Sequence, residues 1–441
     1  MASPIAPPPP PLSTVLPPLI LGTATFNTQY HPDPTHMPYV SIVREALLTH
    51  GITAFDTSPY YGPSEHLLGS ALETVETPRS SYLLLTKAGR IDARTFDYSP
   101  VAIRASVYRS LHRLRTPYLD LVYAHDAEFV TPQQVLTAVT ELRRLRDEDG
   151  ILRYVGISGY PVDVLAFLAE MIYRETGEAL DAVQSYSNFC VQNTRLGDPK
   201  LLQRFADAGV DVITNASMLS MGLLTTRGVD RGPMASWHPA PPELRRACNG
   251  LAQIAQSEGE HLEEVAIRWS MDHWARIGAE FGSTAISHKG ESGVRGPARM
   301  GISVMGVSSV AELDETYDIW RSVINEESDG REVHRRRKIA ALVKDRMWPS
   351  LGSWKNYSWP SGRKEYYQGE RESHDRETQT ESRAGEPRRA EIRYKETHTT
   401  RVSGRGPEED DRKYRHVDDA DTDERQGARP PKKDVTGTPK L

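Results

Sequence analysis

From Pro18 onward the chain alternates short apolar runs with longer stretches in which apolar residues recur at helical spacing, the pattern of repeated strand–helix units and a parallel sheet. Residues 19–23, 53–56, 82–87, 119–124, 154–158, 182–185, 210–214 and 303–307 read as eight strands. Between the fourth and fifth, Val135, Leu136, Val139, Leu142 and Leu145 line one helical face, and Val101, Ala105, Leu111 and Leu114 mark an earlier one less regularly. Eight strands in this order predict an α/β fold, a closed (β/α)8 TIM barrel whose helices pack on the outside. The competing open doubly wound sheet ordinarily carries a Gly-x-Gly-x-x-Gly turn after its first strand, and residues 21–26 (Leu-Gly-Thr-Ala-Thr-Phe) lack it.

The pattern weakens at both ends. Residues 1–17 hold a proline run at 7–11 and are expected to be a disordered extension, since they lack the charged and apolar regions of a secretory leader. The barrel is expected over 18–330. Within it, residues 278–301 carry six glycines between the last barrel helix and the eighth strand and look like an insertion. Residues 331–363 contain Ile339, Leu342, Val343, Met347, Trp348, Leu351, Trp354 and Trp359, enough apolar surface for an extension docked on the barrel. From 364 to 440 there is no Leu, Met, Phe, Trp or Cys, so a disordered charged tail is expected over 364–441.

Composition agrees with one folded domain plus tails. Of 441 residues 38% are hydrophobic, and the mean hydropathy of -0.54 is low for a chain that is all core and shell. A net charge of -6 gives no whole-chain basic signature, so no nucleic-acid partner is expected. No apolar run approaches the roughly 20 residues that cross a bilayer, so no membrane partner is expected either. Two cysteines imply no disulfide framework and suit a reducing, cytoplasmic location.

Candidate chemistry gathers just past three consecutive strands. Asp56 and Tyr61 share the loop 55–65, Lys87 ends the third strand, and His125 ends the fourth. In a barrel of this type the C-terminal ends of the strands carry the active site, so these four residues fall on one face. The order Asp56, then Tyr61-Gly62, then Thr86-Lys87, then residues 120–125 (Asp-Leu-Val-Tyr-Ala-His), resembles the catalytic tetrad of the aldo-keto reductase family. The likeness continues through Gly156-Ile157-Ser158, residues 183–188 and residues 217–224, and covers roughly 18–323. Trp237-His238-Pro239-Ala240 and the preceding Gly-Leu-Leu-Thr are most similar to the branch of plant L-galactose dehydrogenases and fungal NAD-linked D-arabinose dehydrogenases.

The resemblance implies hydride transfer between a nicotinamide and a sugar, with Tyr61 rather than Tyr60 exchanging the proton because the family places its tyrosine directly before Gly or Asn. It implies that Asp56 holds Lys87 and that neutral His125 orients the reacting oxygen. A Lys87 ammonium ~4 Å away would favour the Tyr61 phenolate by ~4 kcal/mol at an effective dielectric of about 20, roughly three pKa units. For the cofactor, Thr23, Asp56, Ser158 and Gln184 match positions at the nicotinamide end, and Gly159 departs from the usual asparagine, leaving one carboxamide contact to backbone or Asn188. Ser217, Leu219, Ser220, Gly222 and Leu223 match the loop over the pyrophosphate.

At the adenosine end, Gly306, Ser308, Ser309 and Glu312 match the family's last segment. Ser308 and Glu312 replace the lysine and arginine of NADP users, and a carboxylate near the ribose repels a 2'-phosphate, so NAD is expected. Helix capping by the same residues is an equally ordinary duty. The reading is an NAD-linked oxidation of an aldose at C1. An NADPH-dependent carbonyl reductase and a cofactor-binding regulatory subunit that meets partner proteins through its tails are the alternatives.

Overall fold

The computed structural model describes residues 9–285, 299–324 and 330–366. Eight strands, β1 (Leu19–Gly22), β2 (Ala54–Asp56), β3 (Leu83–Ala88), β4 (Leu119–His125), β5 (Leu152–Gly159), β6 (Ala182–Tyr186), β7 (Val212–Ala216) and β8 (Ile302–Gly306), pair in parallel in sequence order and close β8 onto β1. The fold is a (β/α)8 barrel. Each strand lies within a residue or two of its expected place. The largest shift is at β7, where the Val210 amide bonds Phe205 O in the preceding turn instead of joining the sheet.

The outer layer is α1 (Tyr39–Arg44), α2 (Ser64–Val75), α3 (Pro100–Arg113), α4 (Pro132–Asp147), α5 (Val162–Thr176), α6 (Pro199–Asp207), α7 (Pro242–Ser257), α8 (Leu262–Ile277) and α9 (Val310–Ile324). Starts are written locally. Thr131 and Gln134 form a reciprocal capping box at α4 with Pro132 in the first turn, while Ser99 and Asp198 cap α3 and α6. The α4 face expected to be apolar is the buried one, with Val135, Val139, Leu142 and Leu145 all inaccessible and Leu136 partly so. Among the described residues no helix is long and apolar enough to cross a membrane.

The barrel interior is filled by Ile20, Ala54, Leu85, Leu121, Tyr123, Tyr154, Ala182, Val212, Ile302 and Val304, joined by Leu12 and Leu16. These two leucines correct the expectation of disorder through residue 17. From residue 9 the chain crosses the N-terminal mouth of the barrel, with Ser13 N donating to Asp211 Oδ2 (2.9 Å) and Tyr154 OH to Pro10 O (2.7 Å). The cause is simple. Leu12 and Leu16 sit one helical turn apart and would otherwise leave the barrel floor wet. Leu16→Ala is expected to lower stability by about 2–5 kcal/mol, as for other buried leucines, and urea unfolding of the two proteins checks it.

The expected insertion leaves and returns at one point, where Ser283 and Met300 exchange backbone hydrogen bonds (2.7 and 2.9 Å). Its residues 286–298 lie outside the described residues. Beyond β8 and α9, α10 (Gly330–Leu342) packs on α8 with Arg336 paired to Asp272, and Arg335 to Glu264 at 2.6 Å. The chain then turns across the C-terminal face. Trp348 Nε1 donates to Val191 O (3.0 Å), Gln192 Nε2 to Trp354 O (2.7 Å), and the Trp359 ring stacks on Tyr160 at 4.5 Å. Tyr366, placed by sequence in the disordered tail, donates to Val130 O (2.8 Å) because its ring reaches the core. Residues 367–441 lie outside the described residues.

Candidate active site

Parallel register brings the four polar residues to one end of the barrel. Lys87 pairs in register with Tyr123, two residues before His125, and His125 pairs with Ser158, which pairs with Gln184. Lys87 and Asp56 form an ion pair at 2.6 Å with side chains only 2% and 5% exposed, and Lys87 Nζ donates a second bond to Thr57 O at 3.0 Å. The other Asp56 oxygen accepts from Gln184 Nε2 at 3.2 Å. Lys87 Nζ stands 4.9 Å from the Tyr61 ring centre, and the Tyr61 and His125 rings meet edge to face at 5.8 Å. The Tyr60 ring also borders His125, at 5.9 Å, but its hydroxyl accepts from Gln29 Nε2 (3.3 Å) and its ring lies beneath the Arg90 guanidinium rather than Lys87.

One expectation is overturned. The Tyr61 phenol is pushed well above its ordinary range, first by burial and then by Asp56 and Asp126, with Arg90 opposing. Lys87 is paired with Asp56 at 2.6 Å, and Asp56 is itself among the groups that raise the phenol. Tyr61 is therefore a protonated phenol near neutrality. His125 is held neutral, its pKa well below the ordinary value, by burial and by the charges of Lys87 and Arg90. The Ser58 hydroxyl oxygen accepts from Tyr60 N (3.1 Å) and meets His125 Nδ1 at 3.1 Å. With Ser58 as the donor to Nδ1, the ring proton lies on Nε2.

The expected cofactor positions divide into free and occupied groups. The Ser158 hydroxyl is buried without a hydrogen-bond partner among the described residues, and so is that of Ser220. Thr23 Oγ1 is engaged with the Asp56 carbonyl (3.1 Å) and the Ser64 hydroxyl (2.6 Å), tying β1 to the loop after β2. Asn188 is spent as well: its amide donates to Ser185 Oγ (3.0 Å) and Tyr186 O (3.1 Å) and its oxygen accepts from Asn193 (3.0 Å). A side chain at Gly159 would require the Glu128 carboxylate to move, because a Cβ would lie 2.3 Å from Glu128 Oε2. Glu128 is wholly buried, held by Tyr160 N (3.1 Å) and Ser361 Oγ (2.9 Å).

The loop after β7 is strained into shape. Ser217, Ser220, Met221 and Gly222 all have positive φ, between 48° and 92°, and Leu219 and Leu223 turn inward. His238 Nε2 faces Ser220 O at 3.0 Å and Trp237 Nε1 donates to Gln29 O (3.0 Å), so the segment 237–238 braces this loop against the one after β1. At β8, Glu312 Oε2 accepts from both the amide and the hydroxyl of Ser308 (2.8 Å each), and Glu312 N bonds Ser309 Oγ (3.1 Å). The capping duty is thus real, and Gly306 packs against Thr25 beside it. Two residues with no place in the sequence reading border the tetrad. Arg90 and Asp126 form an ion pair next to His125, and nothing in their spacing along the chain announces it.

The parallel eight-stranded barrel thus gathers Asp56, Tyr61, Lys87 and His125 at the C-terminal ends of its strands. The chain belongs to the aldo/keto reductase family, whose profile matches residues 18–331. It is 40% identical over 314 residues to a D-arabinose 1-dehydrogenase of Saccharomyces cerevisiae, covering 69% of this chain and 84% of that one. It is 33% identical over 326 residues to an L-galactose dehydrogenase of Arabidopsis thaliana, covering 73% and 87%. Among solved structures, a glycerol dehydrogenase of Gluconobacter oxydans superposes with a TM-score of 0.50 at 23% identity, covering 75% of this chain and 94% of that one, a likeness of fold.

Proposed function

We propose that this protein is an aldose 1-dehydrogenase that oxidises D-arabinose or L-galactose at C1 to the lactone, with NAD as acceptor. The observation that carries the reading is the buried Asp56–Lys87 pair beside Tyr61 and His125, in a chain similar along most of its length to two sugar dehydrogenases. Bound nicotinamide would take the hydride. His125, with its proton on Nε2, donates a hydrogen bond to the anomeric oxygen and orients it. Tyr61 exchanges that oxygen's proton. Lys87 spends two donors on Asp56 and Thr57 and keeps the third for the phenol, so that Asp56 fixes where the ammonium sits. The unpartnered Ser158 hydroxyl fits a carboxamide, as the family position suggests, and Ser217 to Leu223 offer a curved backbone for the pyrophosphate.

Because the Tyr61 phenol is held above its ordinary range, the phenolate is scarce at neutral pH. Oxidation is expected to accelerate with rising pH, by up to about tenfold per unit, and carbonyl reduction to stay flat to at least pH 9. Initial rates in both directions from pH 6 to 10 check this. The same protonated phenol is the one observation that favours the second reading, a reductase of carbonyl compounds. Rates with D-arabinose, L-galactose, L-fucose and D-xylose, each with NAD and NADP, separate the two. The reading fails if D-xylose matches D-arabinose while an aromatic aldehyde is reduced efficiently with NADPH.

Ser308, Ser309 and Glu312 support NAD, since they offer hydroxyls and a carboxylate but no cation where a 2'-phosphate would need one. Glu312→Arg with Ser308→Lys is expected to shift the NAD-to-NADP ratio of kcat/KM toward NADP by about tenfold or more, roughly one charge-assisted hydrogen bond. Steady-state kinetics with both cofactors measures it.

A further inference from the structure

Arg90 and Asp126 are the only charged side chains beside the tetrad, among the described residues, for which the proton-transfer scheme has no use. Asp126 directly follows His125 and holds a left-handed backbone (φ 55°, ψ 58°), unusual for a residue with a side chain. Its carboxylate is 97% buried, with Oδ2 3.7 Å from His125 Nε2, the atom assigned to the reacting oxygen. That Oδ2 accepts from Arg90 Nη1, whereas Oδ1 takes no hydrogen bond among the described residues. Arg90 Nε is spent on Asp92 O at 3.2 Å, and Nη2 has no partner among them either. The guanidinium lies 3.7 Å from the centre of the Tyr60 ring, which fixes its plane, and the Tyr60 ring is 5.9 Å from that of His125.

The ion pair therefore leaves one carboxylate oxygen and one guanidinium nitrogen without a hydrogen bond among the described residues, with the carboxylate 3.7 Å from His125 Nε2. Adjacent acceptor and donor of this kind match a vicinal diol, in which each hydroxyl both gives and takes. An apolar or aromatic aldehyde would leave both groups buried and unanswered, which is a strong means of rejection. Mutual neutralisation suits a neutral ligand. Resting on the reading of this protein as an aldose dehydrogenase, we propose that Arg90 and Asp126 are its sugar-recognition pair, gripping the C2 and C3 hydroxyls next to the oxidised carbon.

The test uses 2-deoxy-D-ribose, which is D-arabinose without its C2 hydroxyl. In the wild type, kcat/KM for D-arabinose is expected to exceed that for the deoxy sugar by roughly ten- to a hundredfold. Asp126→Asn and, separately, Arg90→Gln are expected to lower kcat/KM for D-arabinose and to pull that ratio down toward one. NAD affinity and the melting temperature report whether each variant is folded, and Arg90, the more accessible of the two at 15% against 3% exposed, supplies the answer if the Asp126 variant is not. A purely structural pair would lower both sugars alike. A wild type that oxidises D-arabinose, with variants that keep its ratio, overturns the recognition pair and spares the dehydrogenase reading. A wild type that oxidises no aldose with either cofactor overturns both.

Discussion

Replacing Tyr61 by phenylalanine is expected to reduce kcat by about 10²- to 10⁴-fold, the usual contribution of a positioned proton donor, while the dissociation constant for NAD stays within a factor of two. The ring remains to pack against His125 and Lys87, so only the hydroxyl is lost. Tyr60→Phe is the control. It gives up one 3.3 Å bond from Gln29 and keeps the ring under Arg90, so it should be mild. Equal losses in the two variants, measured by stopped-flow hydride transfer, would mean that the wrong phenol has been assigned.

Lys87→Met is expected to damage both activity and stability. Asp56 and Lys87 are almost wholly buried, so removing the ammonium strands a carboxylate whose remaining side-chain partner is Gln184. Breaking such a pair from one side costs about 3–5 kcal/mol, and the enzyme should unfold correspondingly earlier in urea. Combining it with Asp56→Asn removes the uncompensated charge. The double variant should regain much of the lost stability and none of the activity, because the group positioned against Tyr61 is still missing. Recovery of both would reduce the pair to a packing device.

Legibility of the chain tracked the range of the forces involved. The barrel strands and the tetrad were readable because apolar runs and strand-end residues are local signals, and parallel register then brings Asp56, Lys87 and His125 together without further instruction. The floor was missed because Leu12 and Leu16 lie among prolines, and only the closed barrel creates the apolar hole that they fill. The direction of the Tyr61 shift has a similar cause. Lys87 alone would favour the phenolate, whereas burial and Asp56, which oppose it, act through three dimensions. The Arg90–Asp126 pair joins residues 36 apart, on loops whose approach no spacing encodes.

The packing at Gly159 couples positions far apart along the chain. A Cβ there would meet the Glu128 carboxylate, and one at Gly362 would lie 2.4 Å from the Glu128 carbonyl. An asparagine at 159 would therefore ask the Glu128 side chain to swing aside and give up its bonds from Tyr160 N and Ser361 Oγ. A change at one barrel strand is in this way felt by the segment that crosses the C-terminal face.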